Sequence, residues 1–78
     1  EMMKELTERI VKAIVDNPDK VDVNELHGHN SIVIEVRVDQ GDMGKVIGRK
    51  GNTANAIRTI LTAAGKKNNK RCTLEILE

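Results

Sequence analysis

Two glycines three positions apart, Gly48 and Gly51, bracket the basic residues Arg49 and Lys50 in the second half of the 78-residue chain. Glycine tolerates backbone angles that other residues resist, so this spacing predicts a tight turn whose N–H groups point outward. Outward N–H groups and the positive end of a following helix together bind phosphate oxygens. The two basic side chains add charge that attracts a polynucleotide backbone. This segment is the strongest candidate for chemistry in the chain.

Residues on either side of the loop complete a candidate groove for a single strand. Ile47, Ala54 and Ile57 are expected to support the bases. Lys45 adds positive charge before the loop, and Arg58 adds it from the helix that follows. Phosphates would then lie on one wall and bases on aliphatic side chains. The predicted binding set is Lys45, Ile47, Gly48, Arg49, Lys50, Gly51, Ala54, Ile57 and Arg58.

Other residues that could carry chemistry give weaker signals. His27 and His29 could hold a metal or a phosphate, but a polar turn explains them better because no further ligands follow in a metal-binding pattern. Cys72 alternates with apolar residues and is expected to be a small buried hydrophobe. Val46 stands where a Walker A loop needs Ser or Thr, and no acid–base pair stands out. The sequence therefore predicts no catalytic residue, no metal site and no cofactor.

Composition narrows the class of protein. A chain of 78 residues with 38% hydrophobic and 32% charged residues predicts one small globular domain over residues 1–78. The absence of Phe, Tyr and Trp argues against RRM and OB folds, which stack bases on aromatic rings. No apolar run exceeds three residues and only one cysteine is present, so neither a membrane span nor an internal disulfide is expected. The protein is expected to be cytoplasmic.

Charge is unevenly distributed along the chain. Residues 1–40 hold nine acidic and five basic residues, whereas residues 41–78 hold eight basic and three acidic ones. A basic face of this kind attracts polyanions. The basic residues within 66–71 either extend the candidate groove or belong to a solvated loop, and both readings remain open at this stage.

Periodicity places these residues on an α-β-β-α-α-β chain. Residues 2–15 form an amphipathic helix whose expected buried stripe is Met3, Leu6, Ile10, Ala13 and Ile14. Val11 and Val15 fall off that stripe, which implies either a wide buried face or a second apolar strip for a partner. Alternating apolar residues predict strands near 21–26 and 32–38, joined as an antiparallel hairpin, and a last strand near 72–77.

Two helices are expected to flank the glycine loop. Asp42 should cap a short helix over residues 43–47, and Asn52 or Thr53 should cap the longer one. The long helix is expected to end at Gly65. Its predicted buried stripe is Ala54, Ile57, Ile60 (or Leu61) and Ala64. This order predicts an α+β fold with helices on one face of a three-stranded sheet.

Residues 46–51, followed by Ile57, resemble the GxxG signature of KH domains, whose loop clamps about four nucleotides. The element order resembles the type II arrangement, and a chain of this size resembles the stand-alone KhpA family. That resemblance implies a global RNA-binding protein or RNA chaperone that binds single-stranded RNA. It also implies a homodimer, or a heterodimer with a larger KH-containing protein. Ala54 replaces the larger aliphatic residue of many KH domains, which predicts weak sequence preference.

Other functions remain open at this stage. The KH scaffold could serve as a protein-interaction module without contacting RNA. An enzyme could use the loop as an anion cradle, but the lack of an acid–base pair makes this the weakest reading. Single-stranded DNA is a further alternative ligand, because phosphate binding alone does not distinguish the sugars.

Overall fold

Three helices pack on one face of a three-stranded sheet in the computed structural model, which describes residues 2–78. The predicted α-β-β-α-α-β order is confirmed. The elements are α1 (Met2–Ile14), β1 (Asp22–His27), β2 (Ser31–Arg37), α2 (Met43–Ile47), α3 (Asn52–Lys67) and β3 (Arg71–Leu77). Short 3-10 turns lie at Pro18–Lys20, Gln40–Asp42 and Arg49–Gly51. Within residues 2–78, no helix is both long and apolar enough to cross a membrane.

The sheet has the order β1-β2-β3. β1 and β2 form the predicted antiparallel hairpin, with Val23 opposite Val36. β2 and β3 run parallel, with Ile34 opposite Leu74, so the chain must cross over between them. α2, the glycine loop and α3 are that crossover. The topology therefore holds the loop between α2, whose Val46 is buried in the core, and α3, which packs on β3.

The buried face of α1 differs from the expected stripe. Met3, Thr7, Val11 and Val15 are buried, at four-residue spacing, while the expected Leu6, Ile10 and Ile14 are only half-buried and Ala13 is exposed. Thr7 enters the core because its hydroxyl donates a hydrogen bond to the Met3 carbonyl at 2.8 Å. The wide-face alternative is thus the correct one. Val11 and Val15 contribute to the core and are not available to a partner.

α3 buries Ala54, Ile57 and Leu61, so the alternative Leu61 was correct and Ile60 lies outside, 45% exposed. The expectation that Gly65 ends the helix was wrong, because α3 continues to Lys67. Gly65 is buried where β3 begins. A Cβ there would lie 2.6 Å from the Lys70 carbonyl oxygen, so this glycine allows close packing of helix and strand.

The expected helix caps were also wrong. Asp42 precedes α2, but its side chain makes no capping hydrogen bond. Its carboxylate instead accepts from the backbone N–H groups of Asp16 (3.1 Å) and Asn17 (3.0 Å), which follow α1 and lie far away in sequence. Asn52 and Thr53 both lie inside α3, with Gly51 at the cap position. The buried carboxylate of Asp42 thus ties the end of α1 to the start of α2.

Candidate nucleic-acid interface

The loop between α2 and α3 contains three residues with positive φ angles, of which Lys50 and Gly51 are in the left-handed helical region. Gly48 has φ 79° and ψ 171°, Gly51 has φ 77° and ψ 12°, and Lys50 between them has φ 57° and ψ 24°. Hydrogen bonds from Gly48 N–H to the Gly44 carbonyl (2.8 Å) and from Gly51 N–H to the Gly48 carbonyl (3.0 Å) close the turn. A left-handed lysine is uncommon and carries backbone strain, a feature often found at functional sites.

The two glycines have different surroundings. A Cβ added at Gly48 would lie 2.7 Å from both the Cβ and the backbone nitrogen of Thr53, so there is no room for a side chain. A Cβ at Gly51 would meet only the side-chain nitrogen Nδ2 of Asn55, at 3.8 Å. Gly48 is therefore required by both conformation and space. Gly51 is required by conformation alone, and its outer side is open to an approaching ligand.

The middle of the loop presents unused hydrogen-bond donors. In the described part of the chain, neither the Arg49 nor the Lys50 N–H donates to a protein acceptor. Both side chains are exposed, and neither forms an ion pair with any of residues 2–78. Within residues 2–78, two N–H groups without an acceptor and two cations without an ion pair thus lie beside the positive N-terminal end of α3. The loop has the donors and charge that an anionic oxygen needs.

The two flanking cations are held by neighbours. Lys45 Nζ lies 3.5 Å from Asp16 Oδ2, an exposed pair of the kind that stabilises little and that salt screens. Arg58 Nη1 donates to Asn55 Oδ1 at 3.1 Å, which orients the guanidinium along the exposed side of α3. Both side chains are exposed, so they remain accessible to a phosphate despite these contacts.

The expected apolar floor is smaller than predicted. Ile47 is 39% exposed and offers aliphatic surface beside the loop. Ala54 and Ile57 are each only 3% exposed, because they face the interior. They support the position of α3 and leave Ile47 as the main surface on which a base could rest.

A groove that sequence reasoning missed runs along α3. Asn55 and Arg58 lie at its start, and it forms an open depression of about 520 Å³. Its remaining lining residues are Thr59, Thr62, Ala63 and Lys66. Thr59 and Thr62 are uncharged and belong to no recognisable sequence motif. Only their helical spacing from Arg58 could have predicted that they line the same groove. The groove begins next to the glycine loop and carries donors along its length.

Comparison with known proteins decides the family. A family model described as KhpA/KhpB, KH domain, matches residues 4–76. The chain belongs to this KH-domain family. RNA-binding protein KhpA of Caldanaerobacter subterraneus subsp. tengcongensis is 57% identical, covering 96% of this chain and 100% of the relative. RNA-binding protein KhpA of Aquifex aeolicus is 54% identical, covering 97% and 96%. No solved structure gives a significant match.

The family match agrees with the architecture. The three-stranded mixed sheet with helices on one face is the α+β arrangement expected of a KH domain. The match covers β1, β2, the whole crossover and all but the last residue of β3. Residues 48–51, which have the spacing G-x-x-G, join α2 to α3. The structure thus places the sequence motif at the junction of the two crossover helices.

The weaker candidates are not drawn into a common site. His27 Nε2 pairs with Glu25 Oε1 at 2.9 Å. Residues 2–78 contain no group of three or more His, Cys, Asp or Glu side chains arranged to hold a metal. Cys72 is buried, as expected, and burial together with the charge of Glu25 raises the pKa of its thiol. A thiol that stays protonated at neutral pH is a poor nucleophile.

Proposed function

We propose that this KH domain binds single-stranded RNA through residues 48–51 and the groove along α3. The observation that carries the proposal lies at Arg49 and Lys50, at the N-terminal end of a sixteen-residue helix. Within residues 2–78, their N–H groups have no acceptor and their side chains form no ion pair. The most similar relatives given above are named RNA-binding proteins, which supports RNA as the polyanion.

In the proposed complex, phosphate oxygens accept from the loop N–H groups while Arg49 and Lys50 neutralise charge. Arg58, oriented by Asn55, contacts the next part of the strand from α3. Lys45 contributes at longer range, and bases rest on Ile47. Gly48 and Gly51 shape the loop, while Ala54 and Ile57 hold α3 behind it.

Such a site implies modest affinity with weak sequence preference. Stacking on an aromatic side chain contributes about 1–3 kcal/mol per base in single-strand binding proteins, and this chain has no aromatic residue. Phosphate contacts dominate what remains, and they carry no sequence information. A protein of this kind suits the role of a global RNA-binding protein or RNA chaperone.

Charge reversal in the loop tests the proposal. Arg49→Asp with Lys50→Asp should weaken binding of a short mixed-sequence RNA by more than about tenfold, which corresponds to about 1.4 kcal/mol. The matched control is Arg9→Asp with Lys20→Asp, which changes charge equally at exposed positions outside the proposed binding set. Fluorescence anisotropy gives the affinities and circular dichroism checks folding. Equal affinity of the folded loop variant and wild type would refute the site, and a DNA of the same sequence tests selectivity for ribose.

We also propose self-association through a separate flank of α3. Ile60 is 45% exposed, Ala56 precedes it by one turn, and neither residue lines the groove. This flank fits a second copy of the chain, because an apolar strip on one helix can pair with itself about a two-fold axis. Light scattering should show a dimer for wild type and a monomer for Ile60→Asp. A monomeric wild type would refute self-association and leave the flank for a larger KH-containing protein.

A further inference from the structure

The groove on α3 does not end at the last turn of the helix. A second open depression, of about 510 Å³, shares Thr62 and Lys66 with the first and continues over the start of β3. Its other lining residues are Asn69, Lys70, Arg71, Cys72 and Thr73. A third, of about 400 Å³, shares Arg71 with the second and is lined by His29, Asn30 and Ser31 in and beside the hairpin turn. The three depressions thus adjoin one another at these shared residues, and the first begins at Asn55, beside Gly51. We call this series of depressions the path.

The far part of this path is held in place by the backbone. Lys70 N–H donates to the Gly65 carbonyl at 2.8 Å, a close approach that the missing side chain of Gly65 allows. Arg71 N–H donates to the Asn30 carbonyl at 2.9 Å and joins the start of β3 to the hairpin turn. Lys70 and Arg71 therefore project from an ordered connection, although both follow a turn.

The chemistry of the path is uniform. Across residues 2–78, no Asp or Glu lines any of the three depressions. Lys66, Lys70 and Arg71 form no ion pair with any described residue, so their charge is available to a ligand. Asn, Ser and Thr side chains supply further hydrogen-bond donors between them. Lys67, next to Lys66 in sequence, lines none of the depressions.

We propose that this domain binds a longer RNA strand than the glycine loop alone can hold, with a second phosphate contact at Lys70 and Arg71 and the strand's far end at the hairpin turn. The inference rests on the proposed function. α3 rises about 12 Å between Arg58 and Lys66, which takes the path well beyond the loop. Because a GxxG loop clamps about four nucleotides, additional nucleotides are needed to reach Arg71. Continuity with the loop favours RNA over an acidic peptide.

The test compares RNAs of about four and about ten nucleotides, the shorter one matching the span of a GxxG loop. Lys70→Ala with Arg71→Ala should leave affinity for the short RNA unchanged and lower affinity for the long RNA severalfold. The salt slope for the long RNA should become shallower by about 1.4, from two phosphates at about 0.7 each. A longer RNA offers more positions at which the protein can bind, which raises its apparent affinity. Each variant is therefore compared with wild type on the same RNA, so that this effect cancels.

Two further variants separate the possible failures. Arg9→Ala with Lys20→Ala removes the same charges elsewhere and should leave the affinity ratio of the two RNAs unchanged. If the Lys70/Arg71 variant affects both RNAs equally, or neither, the extended path is refuted. If the loop variant Arg49→Asp with Lys50→Asp binds both RNAs like wild type, the proposed function fails at its own site. Binding of an acidic peptide that competes with the long RNA only, and depends on Lys70 and Arg71, would assign this end of the path to a protein and overturn the inference.

Discussion

Replacing glycines with alanine one at a time tests the loop conformation directly, because Gly44, Gly48 and Gly51 occupy three different environments. Gly44 lies in α2 and a Cβ there would meet nothing within 4 Å. Gly51 is left-handed with open space, and Gly48 has a positive φ with no space. If the loop has the backbone described here, the three substitutions must affect stability in a fixed order.

The magnitudes follow from those surroundings. Gly44→Ala should stabilise by about 0.5–1 kcal/mol, since alanine is the better helix former. Gly51→Ala should cost about 1–2 kcal/mol for placing a Cβ in a left-handed conformation. Gly48→Ala should cost about 1–3 kcal/mol for its backbone region and about 1–3 kcal/mol more for crowding Thr53. A core of this size supplies only about 3–5 kcal/mol, so this last variant should be largely unfolded or have a rearranged loop.

Urea denaturation followed by far-ultraviolet circular dichroism measures all three. The expected order of midpoints is Gly44→Ala, wild type, Gly51→Ala and then Gly48→Ala. Adding Thr53→Ala to Gly48→Ala removes the hydroxyl, the atom nearest to the new methyl group, and should recover part of the loss. Equal midpoints for the Gly48 and Gly51 variants would show that space beside Thr53 does not limit the loop. The reasoning from the Gly48 surroundings would then be wrong.

Two other substitutions probe the framework that positions the loop. Burial alone would raise the pKa of Asp42, but the N–H donors of Asp16 and Asn17, with the charge of Lys45, lower it below its ordinary value. Its charged form therefore stabilises the fold above the unfolded pKa, about 3.9, and this contribution is lost as pH falls through the lower folded pKa. Asp42→Asn should be less stable than wild type at neutral pH, and the gap in urea midpoint should narrow in acid; a gap independent of pH would contradict this. Leu61→Ala, at a fully buried position, should lower the free energy of unfolding by about 2–5 kcal/mol. Ile60→Ala changes an exposed position and should lower it less. An equal loss from the two variants would mean that the buried face of α3 is wrongly assigned.

The elements and the glycine loop were predictable because their signals are local. Alternation along 32–38 and helical spacing along 2–15 depend only on near neighbours, and the structure confirms both elements to within a residue or two. Gly48 and Gly51 were expected to take special backbone angles, and both do. Local chemistry therefore determined the loop as well as the order of elements.

Features that depend on distant partners were not predictable in the same way. The Asp42 carboxylate was expected to cap its own helix, yet its donors lie 25 and 26 residues away. Thr7 was not predicted to lie in the core, because a threonine in the sequence does not reveal that its hydroxyl donates a hydrogen bond to the Met3 carbonyl. Gly65 has the sequence signature of a helix end, but β3 packs against it. For Asp42 and Gly65 the deciding contact comes from packing between elements, whereas for Thr7 it is a side-chain hydrogen bond within α1.

α3 shows how one helix can serve several purposes without conflict. Its buried face, which includes Leu61, fixes it on the sheet, while Arg58 and Lys66 lie on a flank that carries the groove. Ile60 lies on the other flank, outside every depression described. A dimer formed through Ile60 would therefore leave both RNA paths open and display two of them on one particle. Because linked sites raise the effective concentration of the second contact, pairing would offset the modest affinity of a module without aromatic residues. RNA binding and self-association should accordingly be separable by substitution, and the advantage of the dimer should appear only with an RNA long enough to reach both copies.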